Sequence, residues 1–333
     1  MSKSTCAVLV LFVLTLVPHS WAVPNAVVGT CVAGKQFTTI QGAIDAADIG
    51  STVRVCPGTY PEILTITKDI NVRGITSGTA ASVFITVPST GVPQNASSGL
   101  LGSLAVQVLV QNATVNLSYL NIDGTHSGAC APRLNQVGVL FQAAVGSMTN
   151  SSFVGAPNCN TPVSAFIDLT TNFNFSNNYL RECPGICVEV DYGTNTTVKD
   201  NDLLSLMVNA VSGIEMQNLG GPATVSGNTI SGNMSSGVSV FTSPSVTVTN
   251  NTVTLPGGIG FVLSDATQSV VETNRAFSLT GVTVINVNGP ANNTVSKNTL
   301  GYGNCGLGLS KTDKYTVVTP NTYLNTTATI CRQ

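Results

Sequence analysis

Phe175-Ser-Asn-Asn178-Tyr-Leu180 is the stretch that decides the fold, because it comes back. The pattern apolar-x-x-Asn-x-x recurs as Val198-Lys-Asp-Asn201-Asp-Leu203, Val225-Ser-Gly-Asn228-Thr-Ile230, Val248-Thr-Asn-Asn251-Thr-Val253, Val271-Glu-Thr-Asn274-Arg-Ala276 and Val295-Ser-Lys-Asn298-Thr-Leu300. Successive asparagines are 23, 27, 23, 23 and 24 residues apart. Met148-Thr-Asn-Ser151-Ser-Phe153 extends the series 27 residues upstream with Ser in the Asn slot, and Leu117-Ser-Tyr-Leu120-Asn-Ile122 is a weaker member before it. Self-similarity at such a period is the mark of a repeat architecture.

Each repeat carries a second segment that opens on a small residue and alternates apolar positions, as in Gly185-Ile-Cys-Val188, Gly213-Ile-Glu-Met216 and Gly237-Val-Ser-Val240. Alternation over four to six residues bounded by Gly, Pro and Asn reads as a strand with one face buried. Two or three such strands fill a repeat and leave no room for a crossover helix. Leucine-rich repeats need a Leu framework and propeller blades need about 40 residues, so neither fits. The expectation is an all-β fold: a single-stranded right-handed parallel β-helix, with repeats from about residue 104 to 301. Asn suits a stacked corner because it tolerates left-handed backbone and its amide can bond to the amide of the next coil.

Composition agrees. Charged residues are only 8% of the 333 and hydrophobic ones 43%, the reverse of the disordered signature. A formal charge of −2 with no basic cluster speaks against a nucleic-acid partner. Residues 1–22 combine Lys3, an apolar run from Cys6 to Val17 and the small-x-small pattern Ser20-Trp21-Ala22, which reads as a signal peptide. The run is too short for a membrane span, which needs about 20 residues, and no later segment is apolar enough. The domain is therefore 23–333, expected to be a monomer that is secreted or periplasmic. Eight cysteines remain after the leader, an even number in an oxidising compartment. Residues one coil apart come into register, which favours Cys31–Cys56 and Cys305–Cys331. For the middle four, Cys159–Cys183 with Cys130–Cys187 and Cys183–Cys187 with Cys130–Cys159 can both be drawn.

Near the N-terminus, Phe37, Ile40, Ile44 and Ala47 share one helical face, predicting an amphipathic capping helix over 37–50. Residues 76–102, rich in Gly, Ser, Thr and Pro, interrupt the period and read as a loop insertion.

The run Phe37-Thr-Thr-Ile-Gln-x-Ala-Ile44, followed by Val53-Arg-Val-Cys-Pro-Gly-Thr-Tyr-Pro-Glu62 and Ile70-x-Val-x-Gly74, resembles the opening of the pectin-lyase-like β-helix superfamily. Pectin methylesterases and periplasmic β-helix repeat proteins share that opening. The resemblance implies the fold and no single activity. The Gln-Asp-Thr, Asp-Phe-Ile-Phe-Gly and Leu-Gly-Arg-Pro-Trp segments of pectin methylesterases are missing, as are the Asn-Thr-Asp, Asp-Asp and Gly-His-Gly segments of polygalacturonases.

A pectate-lyase-like mechanism asks less of local sequence: stacked carboxylates to hold calcium and a Lys or Arg to take a proton. Asp168, Glu189, Asp191 and Glu215 fall on three consecutive repeats at positions that can share an outward face. Asp168, Glu189 and Asp191 are the candidate calcium ligands, and Arg181, with Arg133, the candidate base. A bland alternative is that these are solvent-facing positions, because a one-residue register slip would scatter them. Two functions follow. The first is a non-catalytic glycan-binding or structural extracellular protein, favoured by the absence of every specific catalytic pattern. The alternative is a polysaccharide-acting enzyme, a uronate lyase or epimerase, working at the carboxylates.

Overall fold

The computed structural model describes residues 25–76, 82–125, 135–155, 163–208, 210–278, 283–289, 292–311, 313 and 315–332. The leader therefore lies outside the described residues, as do His126, Cys130, Arg133 and Cys159.

Short strands wind into a right-handed parallel solenoid bounded by three sheets of 13, 11 and 12 strands. One coil shows the path: Phe173–Ser176 in the first sheet, Tyr179–Arg181 in the second, Ile186–Asp191 in the third, then Thr196–Lys199 back in the first. Each strand pairs in parallel with its counterpart one coil away, for example Phe175↔Val198↔Val225↔Val248. Alternate side chains point inward to a single column of apolar residues running the length of the coil, among them Phe153, Phe175, Val188, Val190, Ile214 and Met216.

The asparagines stand at the turn between the first and second sheets. They are 0–2% exposed and each receives bonds from the one before it: Asn201 N and Nδ2 donate to Asn228 Oδ1 at 3.0 and 2.9 Å, and Asn228 N and Nδ2 to Asn251 Oδ1 at 2.9 Å each. Ser151 holds the Asn slot, its hydroxyl accepting from Leu120 N at 3.2 Å, and Asn321 continues the ladder beyond Asn298 at 2.9 Å. One detail differs from the sequence expectation. The left-handed residue is the one before the ladder position, such as Asn177 (φ 56), Asp200 (φ 53) and Asn250 (φ 56), and the ladder asparagine is chosen for its hydrogen bonds alone.

The helix is Ile40–Ala46, shorter than the expected 37–50; Phe37 is instead the last residue of strand Lys35–Phe37. Thr39 caps it, and the Glu62 carboxylate accepts from Ile40 N and Gln41 N at 2.8 and 2.9 Å. The acidic residue of the Gly58-Thr-Tyr-Pro-Glu62 signature thus satisfies orphan helix donors. Within 76–102, Val83–Thr86 is an ordinary rung of the second sheet, its Val83 and Ile85 buried in the core. Ala96–Ser98 then folds back antiparallel on the third sheet, so the segment is a rung strand plus a hairpin arm where a loop was expected. Disulfides join Cys31–Cys56 and Cys305–Cys331, with Cα atoms 5.7 and 6.1 Å apart, and Cys183–Cys187 closes a local turn. Cys183–Cys187 rules out the pairing that joined Cys183 to Cys159, while Cys130 and Cys159 themselves lie outside the described residues.

Candidate carboxylate site on the third sheet

The third sheet presents an outer face whose residues are fixed by register. One row runs Leu109, Leu140, Phe166, Glu189, Glu215, Ser239; the next runs Gln111, Gln142, Asp168, Asp191, Gln217, Phe241. The first three residues of the first row belong to a second apolar cluster, separate from the central column, with Leu104, Val106, Val137 and Val163. The row then changes abruptly from apolar to acidic. All four expected carboxylates therefore share one face of three consecutive coils: Asp168 opposite Asp191, and Glu189 opposite Glu215.

These groups are not splayed into solvent. Asp168, Glu189 and Asp191 are 2%, 1% and 0% exposed, and Glu215 is half-buried. Gln142 Nε2 donates to Asp168 Oδ2 at 2.9 Å and is itself oriented by Gln111 Nε2, which donates to Gln142 Oε1 at 2.8 Å. Asn218 Nδ2 donates to Asp191 Oδ1 at 3.1 Å. Glu189 Oε2 and Asp191 Oδ2 have no hydrogen-bond partner. Burial, followed by the charges of Glu215, Asp191 and Asp168, pushes the Glu189 pKa up to about 8. Burial also raises Asp168, Asp191 and Glu215, against the opposing hydrogen bonds from Gln142, Asn218 and Ser212 respectively. Stacked carboxyls in a dry setting cannot all ionise, and they titrate as a coupled set.

Arg181 does not join them. It lies on the second sheet, where its guanidinium pairs with Asp202 at 3.0 Å and stacks 3.3 Å from the Tyr179 ring centroid. Arg181 ends its second-sheet strand at the turn before the third sheet, and sequence spacing does not reveal that this turn rounds a corner. Among the described residues no three His, Cys, Asp or Glu side chains are gathered as a cation requires, and the amides of Gln142 and Asn218 already occupy an oxygen of each aspartate.

Sequence reasoning passed over the corner that follows these strands. Leu169 and Tyr192, directly after Asp168 and Asp191, are 52% and 50% exposed. Both have left-handed backbone, at φ 54 and φ 51. A repeat-by-repeat alignment of this corner would have exposed them as its two large apolar side chains, since Asn112, Ala143, Asn218, Thr242, Asp265 and Gly289 hold the same left-handed place in other coils.

Residues 163–323 match the family model described as the right handed beta helix region. No curated protein matches it in sequence. Among solved structures it is similar to a mutant DFA-IIIase from Arthrobacter chlorophenolicus A6 in complex with DFA-III, at 16% identity and a TM-score of 0.65, over 91% of this chain and 84% of that one. It is similar to the Dettilon tailspike protein (gp208) at 17% identity and a TM-score of 0.60, covering 86% of this chain but only 65% of the tailspike. PfbA, a surface adhesin of Streptococcus pneumoniae, aligns at 14% identity and a TM-score of 0.51, over 87% and 88% of the two chains. At these identities the likenesses establish the fold alone.

Proposed function

We propose that this protein is an extracellular polysaccharide-acting enzyme that cleaves a glycosidic bond by carboxyl acid–base chemistry on the third sheet. The observation that carries the reading is the register-aligned set Asp168, Glu189, Asp191 and Glu215, with Glu189 protonated at neutral pH. Glycosidic cleavage needs one carboxyl that holds its proton near pH 7 and one that does not. The Glu189–Glu215 pair supplies the acid, through the more accessible Glu215. The Asp168–Asp191 pair, supported by Gln142 and Asn218, supplies the base that activates water. The two rows are two residues apart along each strand, about 6.6 Å. Carboxyl groups roughly 6.5–9.5 Å apart leave room for a water and invert the anomeric centre, and this backbone spacing supports that outcome over retention. A lyase or epimerase route is less well supported, since its basic partner Arg181 is engaged with Asp202.

A second reading, glycan binding without catalysis, is favoured by one specific observation: at 0–2% exposure, three of the four carboxyls offer a substrate almost no surface. The deciding experiment is incubation of the mature protein with neutral and acidic polysaccharides, followed by a reducing-end assay and by NMR of the first anomer released. The enzyme reading expects cleavage with inversion, slowed about 10²-fold or more by Glu215→Gln. Tight binding with no new reducing ends on any polymer would sink it and leave the binding reading.

A further inference from the structure

We propose that Leu169 and Tyr192 form the apolar stacking platform of a saccharide subsite beside the carboxyl rows, and that this subsite takes an uncharged sugar and rejects a uronate. The proposal rests on the reading of that face as a carbohydrate site. It goes beyond that reading by naming the platform and the substrate class.

Both residues put a large apolar side chain on a left-handed corner. The left-handed region admits Gly freely and Asn or Asp with little strain, whereas bulky side chains there are outliers. The corner is filled by Asn112, Asn218, Asp265 and Gly289, by Ala143 (φ 50) and Thr242 (φ 45), and by Leu169 (φ 54) and Tyr192 (φ 51), which are its two large apolar side chains and stand on neighbouring coils. Packing does not compensate, because half of each side chain faces solvent. The two fall immediately after the two buried aspartates, on the rungs that hold the carboxyl set. Strained side chains kept where they gain no core contact are a feature of ligand sites. A tyrosine ring beside a leucine, one rung apart at about 4.8 Å, is a surface on which the apolar face of a pyranose or furanose ring can lie.

Charge decides the class. Next to the platform stand Asp168, Glu189, Asp191 and Glu215, two of them with an unpartnered, buried oxygen. The guanidinium of Arg181 is held on another sheet by Asp202. A sugar carrying its own carboxylate would meet the ionised members of this set without a described cation to offset it, whereas a neutral sugar would offer hydroxyl donors to the half-buried Glu215 carboxyl.

Binding of galactomannan, dextran, polygalacturonate and alginate to the mature protein, measured by affinity electrophoresis and calorimetry, tests this alongside Tyr192→Asn and Leu169→Asn. Asparagine is native to the corner, so both variants are expected to fold with a melting temperature equal to or above that of the parent. Affinity for a neutral polymer is expected to fall at least tenfold in Tyr192→Asn. Tighter binding of either uronate polymer than of both neutral ones, undiminished affinity in both variants, or binding of none of the four would each overturn the proposal. Its failure is separable from that of the catalytic reading. Binding through Tyr192 without cleavage keeps the platform and removes the chemistry, and cleavage with undiminished affinity in both variants does the reverse.

Discussion

Glu189 concentrates the electrostatics of the molecule in one side chain. Its carboxyl keeps a proton to about pH 8 in the folded chain, while in the unfolded chain it releases that proton near the ordinary glutamate value of about 4.3. Between those two values the native state binds more protons than the unfolded state, so stability falls as pH rises. The contribution is complete below the unfolded pKa and is lost as pH climbs through the folded one, an effect of order several kcal/mol. The raised values of Asp168, Asp191 and Glu215 act in the same direction. The urea midpoint is therefore expected to be higher at pH 5 than at pH 9, and Glu189→Gln, which stays neutral, should flatten the decline. A wild-type midpoint that climbs from pH 5 to pH 9 would contradict this account of the cluster. At this scale the sequence was partly legible. The carboxyl rows followed from counting along the strands that open after Pro162, Gly185 and Gly213, but what surrounds them did not. No periodicity says that Gln142 and Asn218 turn their amides to the aspartates, or that Arg181 faces Tyr179 and Asp202 around a corner.

At the level of the element, the ladder between the first and second sheets shows how one residue type fixes register. Asn251 accepts from both Asn228 N and Nδ2, and its own Nδ2 donates to Val225 O at 2.9 Å, Thr249 O at 3.0 Å and Asn274 Oδ1 at 3.0 Å. Replacing it with alanine leaves buried donors and acceptors of two neighbouring coils unmatched, at about 1–3 kcal/mol for each group left wanting. Asn251→Ala is thus expected to lower stability by about 3–5 kcal/mol in urea titration. Asn321→Ala, at the half-exposed end of the same ladder, should lower it by about 1 kcal/mol. Equal losses at the two positions would mean that the ladder is not what holds the rungs in register. The steps of 23 to 27 residues could be counted from sequence because the ladder asparagine cannot be exchanged without those losses. The helix limits were less legible. Phe37 shares the helical face by spacing, yet it pairs with Val28 in a strand, because tertiary pairing outweighs a short amphipathic pattern.

Across the whole molecule, contacts run from each coil to the next, as the strand order of all three sheets shows, and stability in such a solenoid is close to a sum over neighbouring rungs. The two ends are then the places from which it opens, and both carry a disulfide between adjacent coils, Cys31–Cys56 and Cys305–Cys331. Closing a loop of 26 residues is worth about 3 kcal/mol in the chain-entropy account. At the C-terminal end it ties down Ala328–Arg332, a third-sheet strand with a neighbour on one side only and with Ile330 45% exposed. Hydrogen exchange of a Cys305→Ser, Cys331→Ser double variant is expected to show amides of Thr322–Leu324 and Ala328–Arg332 losing protection. Those of Ile186–Asp191, five third-sheet rungs away from Cys305–Leu309, should stay as slow as in the parent. Protection lost evenly from end to end would mean that the coil unfolds as one cooperative block, and the neighbour-by-neighbour account would fall. If the loss stays at the end, the carboxyl face sits on rungs whose geometry is insulated from fraying, as a site built from side chains on three consecutive coils requires.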